Sequence, residues 1–218
     1  MQGLDETVGP TYAALLVRAA REDLLRTLAR ERFSGWVGPA QDGWVVAVPD
    51  RPTGHVAARR RRVPDLAALV AADLHARVVT VLVVRDALLR LWAHDGDDAV
   101  VDYLSDAHVA FPDDDEAYGV RGLEHVRALA TLADAPAAAD ELTELLAEEL
   151  GESESESERL MTVSRLLGWP VWLVAVDSLP RRPPGGPDAD AFARLRAGRT
   201  GVGGLLAARA AALVRRDD

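Results

Sequence analysis

Six side chains in the middle of the chain, His94, Asp95, Asp97, Asp98, His108 and Asp113, are of the types that bind a metal ion, and two imidazoles with several carboxylates can converge from a hairpin tip and the loop after it. Their spacing matches no calcium or zinc pattern. Asp95-Gly96-Asp97-Asp98 lacks the alternating ligands and the distal Glu of an EF-hand loop and reads as a polar tight turn. The chain has no cysteine, which removes thiolate nucleophiles, disulfides and Cys-ligated zinc, so any metal site would be built from His and carboxylates. For general acid-base chemistry the candidates are Asp86, His94, His108 and Asp177, which need a common pocket to act together. Ser34, Ser105, Ser164 and Ser178 have no nucleophile-elbow signature around them. Gly201-Val202-Gly203-Gly204 precedes a helical stretch, as phosphate loops do, but a chain without lysine has no Walker lysine, and the run reads as a hinge. No catalytic residue, cofactor or metal ion is therefore expected.

Charge is the feature that remains. The 218 residues carry a net charge of -10, unevenly spread. Residues 1–85 hold 12 Arg against 9 acids, residues 86–180 hold 5 Arg against 22, and residues 181–218 hold 8 Arg against 4. The middle segment includes the block Asp113, Asp114, Asp115 and Glu116, and ten acids between Asp134 and Glu158 with no intervening base. Such a field attracts basic partners and repels nucleic acid. The expected binding surface comprises Asp97, Asp98, Asp113, Asp114, Asp115, Glu116, Glu141, Glu144 and Glu148. Arg59 to Arg62 could contact phosphates, but they lack interleaved aromatics for base stacking and read as a solvated loop or an internal partner for the acidic middle. The five tryptophans, Trp36, Trp44, Trp92, Trp169 and Trp172, read as core or sheet-face residues.

Hydrophobic residues make up 49% of the chain, and a chain of this length can bury about 70% of its open surface in one sizeable core. The N-terminus has no basic stretch followed by an apolar one, and the longest apolar run stops at Asp177, so neither a signal peptide nor a membrane span is expected. Together with the missing cysteines this points to the cytoplasm. The absence of Lys, Ile and Asn reflects a GC-rich genome.

The elements follow from periodicity. Thr11 to Ala19 reads as a strand and Arg21 to Phe33 as a helix, with one continuous helix as the rival because no Gly or Pro separates them. Trp36-Val37 and Trp44 to Val48 flank Asp42-Gly43, a hairpin signal. Pro49 to Pro64 reads as a loop, followed by a helix that starts at Pro64-Asp65 and ends near Arg77. Val78 to Val84 is apolar on both faces and so central in its sheet. Leu88 to His94 and Ala99 to Leu104 pair around Asp95-Gly96. An acidic loop, Ala107 to Tyr118, leads to helices over Gly122 to Ala133, Ala137 to Leu150 and Ser157 to Leu167. The Ser-Glu alternation at Ser153 to Ser157 reads as a solvated linker whose serines cap the last of these. Trp169 to Val176 reads as another buried strand. Pro180 to Pro187 reads as a stiff linker, with helices over Ala189 to Arg196 and Leu205 to Arg216 beyond it.

Written as elements, residues 11–84 resemble the βαββαβ order of ferredoxin-like folds. The segments Gly35 to Pro49, Val83 to Asp106 and Arg159 to Pro170 are similar to a group of soluble bacterial proteins from GC-rich genomes that has no known activity, so the resemblance implies no site residue. The expectation is an α+β chain: a ferredoxin-like core extended by an antiparallel hairpin over residues 1–105, an acidic helical annex with one further strand over 106–179, and a linker with terminal helices over 180–218. Its expected role is a non-enzymatic module that binds a basic protein, as an adaptor, a regulator or an immunity-like inhibitor. The competing expectation is a small-molecule-binding or hydrolytic enzyme with a pocket between sheet and annex. Neither a membrane nor a nucleic acid is an expected partner, and self-association is left open.

Overall fold

A computed structural model of the chain describes residues 9–114, 116, 118–148 and 155–200. The fold is α+β, built on a seven-stranded sheet in which every pairing is antiparallel. The strands are β1 (Tyr12–Val17), β2 (Gly35–Gln41), β3 (Trp44–Pro49), β4 (Arg77–Val84), β5 (Leu88–Asp95), β6 (Asp98–Leu104) and β7 (Ala193–Leu195), in the spatial order β6-β5-β4-β1-β3-β2-β7. The helices are α1 (Arg21–Arg30), α2 (Val63–Leu74), α3 (Ala107–Ala110), α4 (Val126–Leu132), α5 (Ala139–Ala147) and α6 (Glu156–Leu166).

Both faces of the sheet are covered, which explains why β1 is buried at all six positions. Its period-2 alternation sends Ala13, Leu15 and Val17 to one face, where Leu24 and Leu28 of α1 and Leu66 and Val70 of α2 meet them. Tyr12, Ala14 and Leu16 point the other way, into a larger core with Leu129 of α4, Leu142 of α5 and Leu160 of α6. Each fully buried leucine contributes about 1.5–3 kcal/mol, so the central strand alone anchors both layers. β1 and β2 run parallel with β3 between them, and β3 and β4 run parallel with β1 between them, so α1 and α2 return over the same face.

Local chemistry sets the element ends. Glu22 and Asp23 sit in the first turn of α1 and Arg30 in its last, each complementing the helix dipole. Asp65 accepts the Arg62 backbone N–H at 3.0 Å at the start of α2, and His75 ends that helix in a left-handed conformation. The β2–β3 turn has positive φ at both Asp42 and Gly43, the pattern of a type I′ hairpin. Pro39 falls where the β2–β3 register shifts and beyond the residues that pair with β7, so its missing N–H costs no ladder bond.

Two segments differ from the sequence reading. Trp169 to Val176 is not a strand: Val171–Ser178 winds as a 3-10 run with a kink at Ala175. The run is apolar without a period, and Pro170 together with the packing of Trp172, Leu173 and Val176 onto an already complete sheet face decides its form. Beyond the linker, Ala189 to Arg196 is not a helix but a short 3-10 turn, Ala189–Ala191, followed by β7, which pairs with β2. Residues after 180 therefore belong to the sheet, where β2 would otherwise have an open edge. The expected helix over Leu205 to Arg216 and the glycines from Gly201 lie outside the described residues, as do Asp115 and Ser153. None of the described helices is long and apolar enough to cross a membrane.

The last residue of the edge strand β6 is bridged by the segment before α4. Leu104 and Arg121 exchange backbone hydrogen bonds at 2.9 Å, and Gly122, at φ +83°, lies so close that a Cβ there would fall 1.9 Å from the Asp102 carbonyl oxygen. Gly122→Ala therefore meets both a clash with backbone and a left-handed conformation, and a loss of about 2–3 kcal/mol is expected as a lowered urea midpoint.

Candidate functional site

The site grows from a turn. Between β4 and β5 the non-glycine residues Arg85 and Asp86 both have positive φ, a strained pair held by contacts on three sides. Thr11 Oγ1 accepts the Arg85 N–H at 2.9 Å, and the Pro10 carbonyl accepts that of Asp86 at 2.9 Å. Asp86 also receives the start of α6: its carbonyl accepts from Glu156 N at 3.1 Å, and its Oδ1 from Ser157 N at 2.8 Å and Ser157 Oγ at 2.6 Å. Ser155 completes the cap by accepting from Glu158 N at 3.2 Å. Asp86 is thus committed to the positive end of α6, with Tyr12 reaching the same Ser157 hydroxyl at 2.9 Å.

That anchoring drives the first turn of α6 inward. Glu156, 1% exposed, and Arg159, 6% exposed, form a buried ion pair with Nη1 to Oε1 at 3.3 Å. Arg159 Nη2 also donates to the Glu148 carbonyl at 2.5 Å. Glu156 Oε2 is closed off from solvent. Burial pushes the Glu156 carboxyl above its ordinary range, against the opposing pull of Ser105 and Arg159. Ser105, also buried, accepts the Leu89 N–H at 2.9 Å.

Glu156, Arg159 and Ser105 line a cavity of about 280 Å³ whose other walls are Asp106, His108, Tyr118, Gly119 and Ala87. Asp106 caps α3 through His108 N and Val109 N, at 2.8 and 3.1 Å. The His108 and Tyr118 rings stack with centroids 5.7 Å apart and planes 5° from parallel. Three apolar side chains of this loop, Val109, Phe111 and Tyr118, are exposed, Tyr118 at 69%. Arg121 lies 5.5 Å over the Phe111 ring.

The sequence candidates divide accordingly. The loop presents Asp113, Asp114 and Glu116 to solvent, and Glu141, Glu144 and Glu148 are exposed at helical spacing along and just after α5. Asp97 and Asp98 are exposed too, but they belong to the β5–β6 hairpin tip, a strand length of about 20 Å from the loop that follows Leu104. None of these eight carboxylates has an ion-pair partner among the described residues, whereas Asp102, Asp134 and Asp140 are taken up by Arg90, by Arg18 with Arg77, and by Arg127.

The acid-base candidates are not assembled. Asp86 is occupied at α6, and His94 sits on β5 opposite Val78, its imidazole kept below its ordinary pKa by burial. His108 lines the cavity, while Asp177 is exposed in the 3-10 run and lines a different hollow, beside Tyr12 and Trp36. Among the described residues no three His, Asp or Glu side chains come together as metal ligands. Arg61 pairs with Glu31, and Arg62 lies 4.0 Å from Asp65, so half of the arginine run is engaged within the chain. Trp44, Trp169 and Trp172 are buried, and Trp36 and Trp92 lie under the guanidinium groups of Arg194 and Arg90.

Sequence reasoning missed Glu156, Arg159 and Tyr118. A signal for the first existed: Glu156, Leu160, Val163 and Leu167 fall on one helical stripe, which places the acid on the buried side. Comparison of the chain with family models, with curated proteins and with solved structures finds no match.

Proposed function

We propose that the protein is a non-enzymatic cytoplasmic binding module that engages a basic protein through the loop after β6 and the adjoining end of α5. In this reading residues 11–84 form a ferredoxin-like scaffold, and the acidic helical layer beyond β6 is the working surface. The observation that carries it is the conjunction in one loop of exposed Val109, Phe111 and Tyr118 with exposed Asp113, Asp114 and Glu116, which have no ion-pair partner among the described residues. Apolar side chains ringed by like charge suit a partner that offers both aliphatic surface and cations, since aromatics supply anchor energy while charges steer encounter. Arg159 ties Glu148 to the same place, because it donates to the Glu148 carbonyl and lines the cavity beneath Tyr118. Asp97 and Asp98 stand outside this surface.

The test is retention of proteins from a native lysate on the immobilised chain, compared with the variant Phe111→Ser/Tyr118→Ser. A basic protein held by the wild type, released by raising salt to about 0.5 M, and bound about 30-fold more weakly by the variant is the expected result. Retention that ignores both salt and the two aromatics would overturn it.

A further inference from the structure

We propose that the arginines gathered around Ser34 form a second surface, separate from the acidic one, that docks on the phosphate backbone of a nucleic-acid duplex. Ser34 ties its own segment to three others distant in sequence. Its N–H donates to the Val56 carbonyl at 3.1 Å, its carbonyl accepts from Asp50 N at 3.1 Å, and its Oγ accepts from Ala197 N at 2.9 Å. On either side of it, the Glu31 carbonyl accepts from Ala58 N at 2.8 Å, and the Phe33 carbonyl from Gly198 N at 2.8 Å. These bonds fix Arg32, Arg51, Arg59, Arg60, Arg196 and Arg199 at one end of the sheet, where β2 begins and β3 and β7 finish. All but the half-buried Arg196 are exposed, and none of the six has an ion-pair partner among the described residues. The acids beside them are already taken, Glu31 by Arg61 and Asp50 by Arg194.

Two features call for an anion here. Arg196 and Arg199 stand opposite each other in an isolated bridge, bonded through their backbones in both directions, and like charges so placed repel until an anion lies between them. Arg32, Arg59 and Arg60 hold positive φ of 54°, 55° and 57°, a strained conformation for long side chains. Guanidinium forks match phosphate oxygens, and several of them together suit a ligand that carries its anions in a row. The exposed large apolar side chains, Val109, Phe111, Tyr118 and Val171, belong to other segments, so the surface offers single-stranded bases nothing to stack on and a bilayer nothing to insert. The backbone of a duplex fits what remains. Repulsion from the acidic loop falls on the opposite edge of the sheet: β6 and β7 are six strand spacings apart, about 29 Å, more than three Debye lengths in about 0.15 M salt.

The experiment follows the anisotropy of a fluorescein-labelled DNA duplex of about 20 base pairs as the full chain is added, at several salt concentrations. Binding should show a Kd of about 10 μM at about 50 mM salt and weaken about 100-fold by about 200 mM, the slope of about four phosphate contacts. Arg59→Asn/Arg60→Asn, which puts a residue at ease with positive φ in both positions, should weaken binding about tenfold at about 50 mM salt and lower the slope by about two. Arg199→Gln, on a separate segment, should lower it by about one. Arg165→Gln, an exposed arginine of α6, and Phe111→Ser/Tyr118→Ser should each change the affinity less than about twofold, so that this surface and the protein-binding one succeed or fail independently. No binding by about 200 μM chain at about 50 mM salt, an unchanged slope in both Arg59→Asn/Arg60→Asn and Arg199→Gln, an equal loss in Arg165→Gln, or tighter binding to vesicles of about one-third phosphatidylserine than to the duplex would overturn the proposal.

Discussion

Replacing Arg159 by methionine lowers the stability of the fold by about 3–5 kcal/mol, read as a shift of the urea midpoint at constant slope. The size follows from what is left behind: Glu156, 1% exposed, keeps its charge without the guanidinium that compensates it. The aliphatic stem of the arginine is replaced by methionine at similar volume, so little of the loss is packing. Removing both charges in Glu156→Leu/Arg159→Met should return the stability to within about 1–2 kcal/mol of the wild type, because a well-packed apolar pair has no desolvation cost. A deficit as large in the double variant as in Arg159→Met would show that packing, not charge, sets the loss.

The pH dependence carries the sign. The Glu156 carboxyl in the fold titrates above its ordinary value of 4.5, so just above pH 4.5 the native state binds more protons than the unfolded chain. Stability therefore falls as pH rises from 4.5 through the folded value, and is flat in this contribution beyond it. Without Arg159, whose charge holds that value down, the window extends further upward and the deficit of Arg159→Met grows with pH. In Glu156→Gln the falling limb disappears, and a profile parallel to the wild type would exclude Glu156 as its source.

Trp172→Ala has an effect of the same order, about 3–5 kcal/mol, a third or more of the whole stability of a typical domain. Trp172 is 2% exposed and joins three parts of the chain. Its Nε1 donates to Gln41 Oε1 at the end of β2, its ring meets Phe192 edge-on at 5.5 Å, and it packs across Gly38 and beneath Gly186. The loss should be both global and local. Trypsin should cut at Arg181 or Arg194 in the variant at denaturant concentrations where the wild type is intact, because the segment carrying β7 loses the surface on which it lies. A drop below about 1.5 kcal/mol with unchanged cleavage would mean that Phe192 and the β2–β7 ladder hold that segment without the indole.

The strands and helices up to Leu104 were legible because each carries its own period and its own punctuation. Asp42-Gly43 and Asp95-Gly96 mark turns, Pro64-Asp65 marks a helix start, and the alternation of β1 places its side chains on two faces. Thr11 to Phe33 resolves as strand then helix, since the sheet offers β1 a partner on each side. What escaped was decided by neighbours. Val171–Ser178 has the composition of a strand but no free edge to join, and Ala193–Leu195 is too short and too alanine-rich to announce itself, becoming a strand because β2 presents unpaired groups beside it. At the candidate site the exposed carboxylates of the loop and α5 were legible from charge alone. The buried pair was not, because a run of Ser and Glu reads as solvated until the turn at Asp86 is seen to pull its end beneath the sheet edge.

The pairing of β7 with β2 also sets an order of events. Residues 35 to 37 emerge from the ribosome long before residues 193 to 195, so that throughout most of synthesis the hydrogen-bonding groups on one side of β2 have no partner. A nascent chain in that state can recruit the strand of a neighbouring copy in place of its own. The break in register around Pro39, where β2 also lacks a donor, limits how far such an intruder could extend, and so acts as a guard during translation before it serves any purpose in the finished molecule.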